Sequence, residues 1–236
     1  MKKDLTELVF IVDKSGSMCG LEADTIGGLN STLKKNRALP GEANVSIVLF
    51  DDTSEVLLDR KPLTEVRDLT QNDYQVGGCT ALLDAVGNAV RYHTKVQQIL
   101  PEDHRAEHVM FVIITDGMEN ASRRRSYGEV KHLIEQQREQ GWEFLFLGAN
   151  IDAAAEAGRI GIAANRASRY VSDDTGSQIA YEAIARAQCE TRVMGAPTAS
   201  WNAAPMADAA ARDPRGAGTP NKQGRQARRH FPWARK

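Results

Sequence analysis

Residues 8–17 read Leu8-Val9-Phe10-Ile11-Val12-Asp13-Lys14-Ser15-Gly16-Ser17, an apolar run that ends in a carboxylate and two hydroxyls. The run is far shorter than the ~20 residues a membrane helix needs, and it is rich in β-branched side chains. It therefore predicts a strand buried on both faces. Residues 109–117 repeat the arrangement, with Val109-Met110-Phe111-Val112-Ile113-Ile114 leading into Thr115-Asp116-Gly117. An Asp often does no more than end a strand, and a carboxylate in that place must be solvated or paired. An Asp-x-Ser-x-Ser after one buried run and an Asp-Gly after the other place several hard oxygens where two strands surface.

The intervening sequence connects these runs in an α/β order. Residues 21–36 carry Leu21, Ile26, Leu29 and Leu33 at near-helical spacing, interrupted by Gly27-Gly28 and closed by Lys34, Lys35 and Arg37, cations that suit a helix C-terminus. Residues 45–50 and 56–58, separated by Asp51-Asp52-Thr53-Ser54, predict a β-hairpin at one edge of the sheet. Gly77-Gly78-Cys79-Thr80 is a flexible loop before an amphipathic helix over 81–100, for which Thr80 stands at an N-cap position. From His108 onward, strands at 108–115, 142–148 and 168–171 alternate with helices at 127–140, 151–157 and 177–188. Such alternation implies crossover units and a doubly wound, mostly parallel sheet covered by helices. Trp142, Phe144 and Phe146 lie in one of these strands and read as core.

In an open sheet of this kind, ligands gather at the carboxyl ends of the strands, where the strand order reverses. Loops bearing Asp13, Thr80 and Asp116 that meet at such a point bring five oxygen donors together, namely Asp13, Ser15, Ser17, Thr80 and Asp116. Three hydroxyls and two carboxylates suit Mg²⁺ first, Mn²⁺ next and Ca²⁺ after them, and argue against zinc or copper.

At these residues the sequence resembles the von Willebrand factor type A (VWA) domain family. Asp13, Ser15 and Ser17 match the Asp-x-Ser-x-Ser element of its metal-ion-dependent adhesion site (MIDAS). Thr80 in Gly-Gly-Cys-Thr-Ala-Leu matches its threonine, and Asp116 in Ile-Thr-Asp-Gly its second aspartate. The resemblance covers roughly residues 5–188 and is greatest to small stand-alone members from bacteria and phages. It implies a Rossmann-like sheet with one antiparallel edge strand and helices on both faces. It also implies a bound Mg²⁺ or Mn²⁺ and a protein partner whose Asp or Glu completes the coordination.

A Mg²⁺-dependent phosphohydrolase is the alternative among enzymes, but the sequence offers it little. His93 and His132 fall in predicted helices, His104 and His108 precede a strand and so belong to the far end of the sheet, and His230 lies near the C-terminus. No Gly-x-x-x-x-Gly-Lys, Gly-x-Gly-x-x-Gly or Gly-x-Ser-x-Gly motif is present. A binding protein that turns nothing over is therefore the expectation. Asp84 and Glu119 read as charges of a first helical turn and a loop, and Cys19 and Cys79 as inert loop residues. Arg123-Arg124-Arg125 follows the Asp116 loop, and as a rim of the same crevice it would attract an acidic partner.

The whole chain has 30 Lys and Arg against 31 Asp and Glu, yet the 47 residues after Cys189 hold nine basic and three acidic ones. The same 47 residues hold five of the eight prolines and eleven alanines. The expected domain is thus 1–189, followed at 190–236 by a basic, Ala/Pro-rich and unstructured tail. A scaffold whose tail binds nucleic acid, through Arg225, Arg228, Arg229, Arg235, Lys236, Phe231 and Trp233, is a further alternative. No signal peptide or transmembrane run is apparent, and three cysteines are an odd count for a disulfide framework, so the expected location is the cytoplasm.

Overall fold

The structure, a computed structural model, describes residues 1–212. Six strands form one sheet: β1 (Lys2–Asp13), β2 (Glu42–Phe50), β3 (Ser54–Pro62), β4 (Ala106–Thr115), β5 (Glu143–Ala149) and β6 (Ala167–Tyr170). Their order is β3-β2-β1-β4-β5-β6, with β3 antiparallel to β2 and every other neighbour parallel. The expected edge hairpin is β2–β3. Strand order reverses between β1 and β4, whose register pairs Val12 with Ile114, so Asp13 and Asp116 emerge side by side.

Helices cover both faces, as period-two burial on fully buried strands requires. Leu8, Phe10 and Val12 face one apolar core with α1 (Glu22–Arg37) and α5 (Asp174–Met194). Val9 and Ile11 face the other, against α2 (Leu82–Ile99), α3 (Tyr127–Glu139) and α4 (Ala153–Arg159). Phe144, Phe146 and Trp142 lie in this second core, with Phe111 stacked on both Phe144 and Trp142. The Gly27-Gly28 break in the apolar pattern of α1 has a packing cause. A Cβ on Gly28 would sit 2.1 Å from the Tyr181 ring, so glycine lets α1 and α5 approach closely.

The boundary expected at Cys189 is corrected. Helix α5 runs on to Met194 and ends at Gly195, whose φ of 85° closes it in the left-handed conformation. The chain then turns back, buries Trp201 completely and forms α6 (Ala203–Arg212) against β6 and α5. Trp201 Nε1 donates to the Asn165 carbonyl and Asn202 Nδ2 to the Ala167 carbonyl, so this segment covers the β6 edge of the sheet. Alanine and proline dominate its composition, but one tryptophan and these polar ties order it. The expectations for Arg225, Arg228, Arg229, His230, Phe231, Trp233, Arg235 and Lys236 lie outside the described residues. Among the described residues, no helix is long and apolar enough to cross a membrane.

Candidate metal centre

Three loops meet above the gap between β1 and β4. Asp13 ends β1 fully buried, its Oδ1 accepting the Ser15 N–H at 2.7 Å and its Oδ2 the Thr115 hydroxyl at 2.6 Å. The loop is held from below by the Tyr74 hydroxyl, which donates to the Asp13 carbonyl. From the neighbouring loop, Gly16 N–H donates to the Gly78 carbonyl at 3.0 Å and Gly77 N–H to the Lys14 carbonyl at 2.8 Å. These ties bring Thr80 over Ser15: Thr80 Oγ1 donates to Ser15 Oγ at 3.0 Å, and Ser15 Oγ lies 3.0 Å from Ser17 Oγ. Ser15 and Thr80 are buried, whereas Ser17 is exposed and opens the cluster to solvent.

Thr80 therefore spends its hydroxyl on Ser15, and the N-terminus of α2 is capped from elsewhere. Glu119 Oε2 accepts the Leu83 N–H at 2.9 Å, while its Oε1 accepts the Ala121 and Ser122 N–H groups. Asp84 accepts the N–H groups of Arg123 and Arg124, each at 3.0 Å. The two acidic residues read from sequence as plain surface charges thus fold the loop after Asp116 onto α2.

Asp116 is the member set apart. Its Oδ1 accepts the Asn150 amide and its Oδ2 the Ser172 hydroxyl at 3.3 Å, partners supplied by the ends of β5 and β6. Asn150 takes a left-handed φ of 50° directly after β5, a conformation asparagine tolerates. Burial raises the Asp13 pKa above the usual carboxylate range, and it pushes Asp116 up to about 6, with the charge of Asp13 adding to the effect. The groups that hold these carboxylates are hydroxyls, an amide and backbone N–H, none of them positively charged. Lys14, between Asp13 and Ser15, turns instead to Asp51 at 3.5 Å and Glu55 at 3.4 Å.

The cluster has the shape a small hard ion needs. Neighbouring oxygens of an octahedral shell with ~2.1 Å bonds are about 3.0 Å apart, close to the Ser15–Ser17 and Ser15–Thr80 spacings of 3.0 Å. A Cβ built on Gly117 would lie 2.8 Å from Thr80 Oγ1, 3.0 Å from Ser17 Oγ and 3.7 Å from Asp13 Oδ2, so these oxygens converge on one small space kept clear by glycine. Among the described residues, no group of three His, Cys, Asp or Glu side chains could hold a metal. Any ion in this crevice relies on the hydroxyls.

Sequence reading missed Thr115, Asn150 and Ser172, which hold the two carboxylates across the fold, and Tyr74, which holds the Asp13 carbonyl. Arg123 and Arg124 are exposed and line a trough with Ala81 and Ala121, but Arg125, expected on the rim with them, lies along α2. Its guanidinium donates to Asn88 Oδ1 and its stem covers Gly87. Cys19 and Cys79 are free and exposed, and the Asp52 carboxylate raises the Cys79 pKa, which leaves that thiol unactivated.

The sequence pattern of the von Willebrand factor type A domain matches residues 7–183. No curated protein matches the sequence. Among solved structures, proximal thread matrix protein 1 from the mussel byssus is similar at 15% identity and a TM-score of 0.56, covering 80% of this chain and 48% of its own. One form of that protein is described with a zinc-occupied MIDAS motif. A von Willebrand factor type A structure from Catenulispora acidiphila matches at 13% identity and a TM-score of 0.52, over 80% of this chain and 43% of that one. The PilB minor pilin from Streptococcus sanguinis matches at 12% and 0.52, over 78% and 61%. The chain thus spans about half the length of the first two and under two thirds of the third. A pattern that runs from β1 into α5, on a sheet of the matching fold, shows that this chain belongs to the von Willebrand factor type A domain family.

Proposed function

We propose that this domain binds a divalent cation, Mg²⁺ before Mn²⁺ or Ca²⁺, through Asp13, Ser15, Ser17 and Thr80 with Asp116 beside them, and that the ion receives a carboxylate from a protein partner. The observation that carries this reading is the Thr80–Ser15–Ser17 hydroxyl chain, spaced at 3.0 Å, next to two desolvated carboxylates that no cationic side chain offsets. When bound, the ion supplies a Lewis acid with room for an outside oxygen. The chain's own part is to hold the hydroxyls in place. Thr115 and the Ser15 N–H fix the Asp13 carboxylate, and Asn150 and Ser172 fix Asp116 to the side. Two carboxylates would neutralise a divalent charge if both bound it directly; with Asp116 engaged by Asn150 and Ser172 and holding the ion only through water, the ion would stay electrophilic and could accept an outside carboxylate.

The all-oxygen donor set favours Mg²⁺, while the zinc described for the mussel protein makes Zn²⁺ the competitor to test. The reading is of binding without turnover. Among the described residues no histidine hydrogen-bonds to the five donors, and His93 is buried on the inner side of α2 with its ring edge-on to Phe111. A cytoplasmic setting is proposed with it, because the free and exposed Cys19 and Cys79 suit a reducing compartment. Calorimetric titration of chelator-treated protein with Mg²⁺ or Mn²⁺ is expected to show one site, abolished by Asp13→Ala with an unchanged circular dichroism spectrum. Binding retained in that variant would place the ion elsewhere, and metal-dependent phosphoester turnover would overturn the non-catalytic reading.

A further inference from the structure

We propose that a trough beside Thr80 carries the partner's chain away from the metal and reads a second acidic side chain with Arg123 and Arg124. This rests on the metal-and-carboxylate reading above. The trough has a volume of about 640 Å³ and lies between the β2–β3 turn, the first turns of α2 and the loop at 121–124. That size is in the range of pockets that enclose a ligand, ~300–1,000 Å³.

Thr80, itself buried, links the two sites. Its hydroxyl belongs to the metal cluster, while its carbonyl accepts the N–H groups of Asn120 and Ala121 at 3.0 and 3.2 Å. Ala121 and Ala81, the residue after Thr80, both line the trough. The cluster and the trough are thus joined through adjacent residues, Thr80 and Ala81.

The walls are built so that their cations stay available. Asp84 and Asp52 share the lining, but Asp84 accepts the backbone N–H groups of Arg123 and Arg124, and Asp52 Oδ1 accepts that of Cys79 at 3.2 Å. The main chain at 123–124 is thereby pinned, while the two guanidiniums remain exposed with no carboxylate partner among the described residues. Arg60, Arg166 and Arg212 elsewhere on the surface each close on an acidic side chain. Two unpaired guanidiniums on a fixed backbone are arranged to receive a carboxylate, which they hold through paired N–H donors.

The test uses the full chain loaded with Mg²⁺ and two labelled peptides of equal length, hexaglutamate and one with a single Glu among five Gln, followed by fluorescence anisotropy. Hexaglutamate is expected to bind at least tenfold more tightly than the single-Glu peptide. Arg123→Gln/Arg124→Gln is expected to remove most of that advantage and leave the single-Glu affinity unchanged. Equal affinities for the two peptides in the wild type, no hexaglutamate binding, or an advantage that survives the double substitution would each overturn the proposal. Chelation separates the two readings. Loss of single-Glu binding on chelation, with the double variant behaving as wild type, keeps the metal reading and removes the trough. Hexaglutamate binding that ignores chelator yet falls in the double variant keeps the trough and removes the metal reading.

Discussion

Thr80 donates its hydroxyl to Ser15 Oγ at 3.0 Å, joining the entry of α2 to the loop after β1 across 65 positions of sequence. Ser15 also lies 3.0 Å from Ser17, so it is the hub of the oxygen cluster. Its neighbours Asp13 and Gly16 are pinned by Thr115 and Gly78, which makes the hub a property of the fold as a whole.

Gly117→Ala is predicted to lower Mg²⁺ affinity by at least tenfold. The added methyl would lie 2.8 Å from Thr80 Oγ1 and 3.0 Å from Ser17 Oγ, so the space on which the donors converge is filled. Calorimetry checks the affinity, and thermal unfolding of the metal-free protein is expected to shift to lower temperature as well, because the methyl displaces the buried Thr80 hydroxyl from Ser15.

Glu119→Ala is predicted to cost about 1–3 kcal/mol in urea unfolding, the usual penalty for stranding buried donors. It removes the acceptor of the Leu83, Ala121 and Ser122 N–H groups and of the Ser122 hydroxyl. Metal affinity should fall with it several-fold, because the same loop carries Asp116. Unchanged stability would show that the loop is held by other means.

Trp201→Ala is predicted to cost about 3–5 kcal/mol, as for other fully buried tryptophans. The loss of the indole and of its bond to Asn165 should also loosen α6 from β6, exposing the sheet edge. Unfolding midpoints together with light scattering check both effects. Near-wild-type stability would contradict a structural role for residues 195–212.

Stability is predicted to fall between about pH 6.5 and 4 through His93. Its side chain is buried, and burial lowers its pKa from 6.5 to about 4, so the unfolded chain binds a proton there before the folded one does. The contribution is fully present above the unfolded value and is lost as pH falls, approaching ~3 kcal/mol near pH 4. The stability difference between wild type and His93→Leu, measured in urea at pH 7 and pH 4.5, should shift towards the variant at the lower pH. A difference independent of pH would contradict it.

The reading of the sheet from sequence worked because its signals are local. Apolar runs, the turn at Asp51–Ser54 and the Asp, Ser and Gly after β1 and β4 each report their own place in the chain. The order of the strands carried the rest: with β1 beside β4, the Asp13, Thr80 and Asp116 loops have to meet. Thr115, Asn150 and Ser172 were not legible, because their roles depend on which strand end lies next to which carboxylate. The same holds for Arg125, whose stem finds the bare backbone at Gly87. Residues 195–212 were hidden by composition. The buried side of α6 consists of Pro205 and Ala209, so it shows no run of large apolar side chains, and a single buried tryptophan with a few polar ties leaves little trace in a hydropathy pattern.

The most direct measurement is the anomalous scattering of crystals grown with Mn²⁺. The account predicts one strong peak within about 2.0–2.2 Å of Ser15 Oγ and Ser17 Oγ, beside Asp13 and Thr80 and facing Gly117. A fully ordered crevice with no peak there, or a peak held by other side chains, would contradict it.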